Sequence, residues 1–147
     1  NKNLQSKESI ISMAKKHAIQ SHILFVGNIS DDSLLSAWYY LADIHVFPVK
    51  HIPEDPEGFG MVAIEAMLAH KPIVASNHGG LTEIIENNAT GFLVTPNSVQ
   101  DLVIALEKLI QNELLRKEMG EKGYLRVTTA FSVGQYVDSF EKFFEKI

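Results

Sequence analysis

The sequence predicts an α/β domain in which a parallel sheet is flanked by helices. Two observations carry this expectation. Four short apolar runs, His22–Val26, Asp43–Phe47, Ile73–Ser76 and Phe92–Thr95, alternate with stretches whose apolar residues recur at helical spacing. The runs are apolar almost throughout, as in parallel strands covered on both faces. With 147 residues the chain reads as one domain, long enough to bury a core.

Taken in order, Lys7 to Ile19 reads as a helix with Ile10, Ile11, Ala14 and Ala18 as its apolar stripe. The first strand, His22–Val26, is closed by Gly27. Ser30 is a good N-cap, and Asp31 and Asp32 favour the first turn of a helix running through Ala42. A second strand, Asp43–Phe47, ends at Pro48, and Pro53 and Pro56 stiffen the loop that leads to Glu57. A central helix starts at Gly60 and is stopped by Lys71-Pro72. The third strand, Ile73–Ser76, is followed by Asn77, His78, Gly79 and Gly80, then by a short helix from Leu81 that frays at Asn87-Asn88. Thr90-Gly91 turns into the fourth strand. Three helices close the chain, over Val99–Gln111, Glu113–Thr128 and Ser132 onward. Phe131, Tyr136, Phe140, Phe143 and Phe144 enrich the last of these in aromatics, some for core packing and some to cover another domain.

The stretch that carries chemistry is PEGFGMVAIEAMLAH, Pro56 to His70. From Gly60 it is apolar all round, the pattern of a buried helix. Glu65 sits in the middle, with Met61, Val62, Leu68 and Ala69 one turn away on either side. A buried carboxylate without a partner is costly, and this helix supplies none. Glu57 precedes the helix, with Gly58, Phe59 and Gly60 between. The glycines permit a sharp bend and close approach to a ligand, and they lead into a helix N-terminus whose free N–H groups attract anions. Two carboxylates eight residues apart thus bracket a phosphate-sized cradle, which suits a sugar nucleotide. Residue chemistry also allows a blander reading: Glu57 as a surface acid and Glu65 paired elsewhere in the core. In open α/β sheets ligands bind beyond the carboxyl ends of the strands, and the Glu57 segment and Gly79-Gly80 both fall there.

Composition excludes other classes. The net charge is −5 and the basic residues do not cluster, against a nucleic-acid partner. There is no cysteine, so neither disulfides nor thiolate metal sites are available. No run reaches the roughly 18 apolar residues of a membrane span, and no leader precedes the first element, so a cytoplasmic location is expected. The sequons at Asn28 and Asn88 are read as chance matches. His17, His22, His45, His51, His70 and His78 show no metal-ligand spacing, so no metal is expected. His51 lies in the loop before Glu57, within possible reach of a ligand but more simply solvated. Glu83 is explained by the dipole of its helix.

EGFGMVAIEAM, with Glu57 and Glu65 in an E-x7-E spacing, resembles the donor-binding signature of the retaining glycosyltransferases of GT-B fold, the group 1 family. FVG at Phe25–Gly27, ADIHVFP at Ala42–Pro48, KPIVASNHGGLTEII at Lys71–Ile85 and TGFLVTP at Thr90–Pro96 follow in the family's order. The resemblance implies a Rossmann-like domain, the C-terminal half of such an enzyme. It implies that Glu65 holds the nucleotide's ribose hydroxyls and that Glu57 acts on the donor sugar. Backbone amides of Phe59, Gly60, Met61 and Val62 would meet the diphosphate and sugar, Gly58 would be among the donor-binding residues, Gly79 and Gly80 would shape the pocket, and the loop after Gly27 would flank the base. Transfer would retain configuration and need no cofactor or catalytic metal, the nucleotide-diphosphate sugar being a substrate.

The family's first strand, glycine-rich loop and phosphate-neutralising Arg and Lys normally precede the first helix here. The expectation is therefore a fragment of a two-domain enzyme, inactive alone, whose partner is an N-terminal acceptor domain. Two alternatives stay open: a non-catalytic sugar-nucleotide-binding or assembly module, and an epimerase or phosphorylase of the same architecture.

Overall fold

Four consecutive buried residues, Ile73 to Ser76, form the strand on which the rest is built. The computed structural model describes residues 2–49 and 60–131. In chain order these give α1 (Lys2–Lys16), a 3-10 turn (Gln20–His22), α2 (Asp32–Leu41), β1 (His45–Phe47), α3 (Met61–Leu68), β2 (Ile73–Ser76), α4 (Leu81–Ile84), β3 (Gly91–Val94), α5 (Val99–Ile110) and α6 (Glu113–Ala130). The expected final helix from Ser132 lies outside the described residues. Packing divides the chain into two units that meet at Asp32/Ser33. The first holds α1, where Ala14 is buried and the Lys7 ammonium stands over the Phe25 ring at 5.1 Å.

The second unit contains the sheet, in the order β1-β2-β3, all parallel. Val74 of β2 lies opposite Val46 of β1 and Phe92 of β3. Alternation along β2 sends Ile73 and Ala75 to one layer and Val74 to the other. The first layer joins them to Ala63, Ala66 and Met67 of α3, Leu81 and Ile84 of α4, and Val127 of α6. The second joins Val74 to Phe92, Val94, Ala105, Leu109 and Met119. Both faces are covered, which is why the strand carries no polar alternation. The layers close tightly at Gly120 of α6, where a Cβ would stand 2.1 Å from the His70 carbonyl oxygen.

Helix ends are tied by side chains. Ser98 Oγ accepts the Asp101 N–H at the start of α5, and Asn112 Oδ1 accepts the Leu115 N–H at the start of α6. Arg126 reaches back from α6 to close α4, donating to the Ile84 and Glu83 carbonyls at 2.7 Å each and to Glu86 Oε1 at 2.8 Å.

Two expectations are corrected. His22–Val26 is not a strand: the 3-10 turn takes its start, and Ile23 is extended but unladdered. A strand exists through its neighbour, and among the described residues none pairs with it, so Leu24 is left 73% exposed. The sheet accordingly has three described strands rather than four. Nor is α3 buried all round, since Met61, Val62 and Leu68 are exposed.

Candidate functional site

The carboxyl ends of β1, β2 and β3 run into Pro48-Val49, Asn77–Gly80 and Thr95. The Asn77 N–H donates to the Val94 carbonyl at 2.7 Å, which holds the second of these segments beside the third. Gly60 caps the start of α3 in the left-handed conformation, φ 68° and ψ 37°. A side chain there would be strained by the backbone. It would also bring a Cβ 3.2 Å from Leu81 Cδ2 and 3.3 Å from Ile84 Cδ1. The start of α3 therefore lies on α4, which directly follows Gly79-Gly80, and these two predicted parts of the site come together. Gly79 also needs a positive φ (55°), whereas Gly80 is ordinary right-handed backbone. The Thr82 and Glu83 N–H groups are spent on the Gly79 and Gly80 carbonyls, so the four-residue α4 offers less to an anion than α3 does.

Met61 and Val62 form the first turn of α3, whose N–H groups lie ahead of any carbonyl within the helix. Their side chains are exposed, and the Ala63 N–H that follows is spent on the Gly60 carbonyl at 2.8 Å. One turn on, Glu65 is half-buried rather than buried. It also has a partner within the protein: the Tyr39 hydroxyl donates to Glu65 Oε2 at 2.6 Å. Inspection of the helix alone missed this bond, because the donor stands on α2, 26 residues earlier. Burial first, then the bond to Glu65 and its charge, push the Tyr39 phenol well above its usual range, so it remains a donor.

Tyr39 is itself held. Its ring lies 4.9 Å from the His45 ring, and His45 Nε2 is 3.1 Å from the Tyr39 carbonyl oxygen, a bond in which the imidazole donates. His45 in turn stacks on Phe47, 6.2 Å between centroids and 9° between planes. Burial is the largest influence on His45 and lowers its pKa, with the Lys71 charge acting the same way and the Tyr39 carbonyl opposing.

Glu57, Gly58, Phe59 and His51 lie outside the described residues. Gly27, with φ 81°, belongs to the first unit. Glu83 stands in the first turn of α4, as its dipole reading requires.

The model of the family "Glycosyl transferases group 1" matches residues 3–126. The chain belongs to the group 1 glycosyltransferases. An uncharacterised glycosyltransferase of Methanocaldococcus jannaschii is 36% identical over 127 residues, covering 86% of this chain and 34% of the relative. A GDP-mannose-dependent α-(1-6)-phosphatidylinositol monomannoside mannosyltransferase of Mycobacterium tuberculosis is 32% identical over 123 residues, covering 82% and 32%. Among solved structures, the C-terminal domain of a group 1 glycosyltransferase from Francisella tularensis superposes with a TM-score of 0.80 at 32% identity, covering 90% of this chain and 65% of that one. The three-stranded parallel sheet with its flanking helices is thus the GT-B C-terminal fold expected for a group 1 glycosyltransferase. The chain spans about a third of the length of the curated relatives it matches. Among the described residues no helix is long and apolar enough to cross a membrane.

Proposed function

We propose that this chain is the donor-binding half of a retaining glycosyltransferase, which moves a sugar from a nucleotide-diphosphate sugar to an acceptor held by an N-terminal domain, in the cytoplasm and without a metal. The observation that carries the reading is α3. It opens on a left-handed glycine that packs against α4, and it places a half-buried carboxylate one turn later. The name of the mycobacterial relative includes GDP-mannose dependence, which supports a sugar nucleotide as donor.

In this reading Glu65 binds the ribose hydroxyls, and the amides from Phe59 to Val62 receive the diphosphate. Gly79 and Gly80 shape the pocket. As the bond between the anomeric carbon and the diphosphate oxygen breaks, its electron pair leaves with the diphosphate, an acceptor hydroxyl oxygen bonds to that carbon, and the hydroxyl proton passes to the departing diphosphate. The charge gathering on the departing diphosphate is met by the first-turn N–H groups. Glu57 acts on hydroxyls of the donor sugar. The chain by itself is expected to bind nucleotide weakly, at hundreds of micromolar, and to transfer no sugar.

The test separates the two glutamates in the full-length protein. A hydrogen bond from a neutral hydroxyl to a carboxylate is worth about 1.5–3 kcal/mol, so Glu65→Ala is expected to weaken nucleoside diphosphate and sugar nucleotide alike by roughly 10- to 150-fold. Glu57→Ala is expected to leave the bare nucleotide within about twofold while turnover falls much further, because contacts to the reacting sugar strengthen in the transition state. Calorimetric titration and initial rates read both. Equal loss of nucleotide affinity in the two folded variants, or loss in neither, overturns the assignment.

A further inference from the structure

We propose that Tyr39 is a positioning residue for Glu65: its hydroxyl holds Oε2 and so leaves Oε1 as the oxygen offered to a nucleotide's ribose hydroxyls. The inference rests on the reading of Glu65 given above and adds a residue that the E-x7-E spacing does not contain. Its geometric basis is the 2.6 Å separation between Tyr39 Oη and Glu65 Oε2, within the range of a charge-assisted O–H···O bond. A glutamate on a helix has three side-chain torsions, and a half-buried one without a tether would sample several rotamers. Fixing one oxygen removes most of that freedom before a ligand arrives, which is how preorganisation raises affinity.

The tether is itself anchored. Tyr39 packs against the cluster that contains Ala63, Ala66 and Met67, and its ring and carbonyl both meet His45 on β1. The contacts run from Phe47 through His45 and Tyr39 to Glu65. Strand, helix and carboxylate are thereby locked together. A tyrosine in this position can only donate to a carboxylate, which has no proton to give in return. Phenylalanine would fill the same space and lose the donor alone.

A bond that merely pins α2 to α3 would show in melting temperature, or in an equal loss for every nucleotide, and not in a preference between them. A positioning role shows in ribose discrimination, the ratio of dissociation constants for a 2′,3′-dideoxynucleoside diphosphate and the matching ribonucleoside diphosphate. Guanosine, uridine and adenosine diphosphates are titrated first, and the tightest serves as probe, with affinities followed by amide NMR shifts of the chain. Loss of one such hydrogen bond predicts that Tyr39→Phe weakens the ribonucleotide about 3- to 10-fold and leaves the dideoxynucleotide within about twofold. In a Glu65→Ala background Tyr39→Phe should have no further effect on either ligand. If Tyr39→Phe leaves the wild-type discrimination intact, or weakens both ligands equally, the bond is structural and the proposal fails. If the wild-type chain does not discriminate, or Glu65→Ala does not abolish the discrimination, the ribose reading of Glu65 has failed first and takes this inference with it. Should Tyr39→Phe not fold, His45→Phe is read in the same way, since it gives up the bond to the Tyr39 carbonyl. A fall in discrimination of about twofold is then expected, and an unchanged ratio overturns the proposal.

Discussion

His45 shows how one residue of the network carries a pH signature. Burial favours its neutral form, the Lys71 charge adds to that, and the bond to the Tyr39 carbonyl only partly opposes them. Its folded pKa therefore lies below that of the unfolded chain, which is about 6.5. Between the two values the unfolded chain binds more protons, so stability rises with pH across that window. The contribution is fully present above the unfolded pKa and is lost as pH falls through the lowered folded one. Thermal melts from pH 7.5 down to pH 5 should show wild type losing more stability on acidification than His45→Phe, and equal slopes would refute the assignment. Its neighbour Tyr39 marks the limit of what the sequence shows. Trp38, Tyr39 and Tyr40 are consecutive aromatics, and nothing in their spacing says which one meets a carboxylate 26 positions later. The demand was legible, since Glu65 lacked a partner along its own helix. The supplier was not, because it comes from a different element.

Elements were legible wherever local chemistry sets their limits. α5 and α6 begin at Val99 and Glu113 as their patterns indicate, and β2 takes the four residues its apolar run defines, whereas α3 ends at Leu68, ahead of Lys71-Pro72, with His70 already at a positive φ of 56°. The run before Gly27 has the same look and forms no strand, because periodicity records what a segment buries, not whether a neighbour pairs with it. Packing between elements is equally invisible in the chain, and Gly120 is the sharpest case. Mid-helix, glycine is a poor residue, and alanine would ordinarily improve α6 by roughly 1 kcal/mol. Here the added Cβ would meet the His70 carbonyl oxygen at 2.1 Å and its carbon at 2.7 Å, both backbone atoms that cannot rotate aside. Gly120→Ala should therefore destabilise by about 1–3 kcal/mol, the usual cost of overpacking. At roughly 2–4 °C per kcal/mol for a chain of this size, calorimetry should show a fall of several degrees. An unchanged or higher melting temperature would mean that α6 and the turn at His70 separate more easily than their packing implies.

At the scale of the whole molecule the proposed ligand, a nucleoside diphosphate, and the protein carry the same sign of charge. The chain has a net charge of −5, and none of Gly27, Glu57, Gly58, Phe59, Gly60, Met61, Val62, Glu65, Gly79 and Gly80 is basic. Proteins that hold phosphates with exposed Lys and Arg lose affinity as salt rises, because added ions screen the attraction between the charges. Here the proposed contacts are backbone N–H groups and hydroxyl-to-carboxylate bonds, while the distant charges repel a nucleoside diphosphate. With a Debye length of about 10 Å at 0.1 M, added salt screens that repulsion and leaves short hydrogen bonds almost untouched. Nucleoside diphosphate affinity of this chain should thus stay flat, or strengthen by up to about twofold, between 50 and 200 mM salt. Titration of one nucleotide at four salt concentrations reads the slope. A steep loss of affinity would place the diphosphate on lysines or arginines away from α3 and overturn its assignment to the Gly60–Val62 turn.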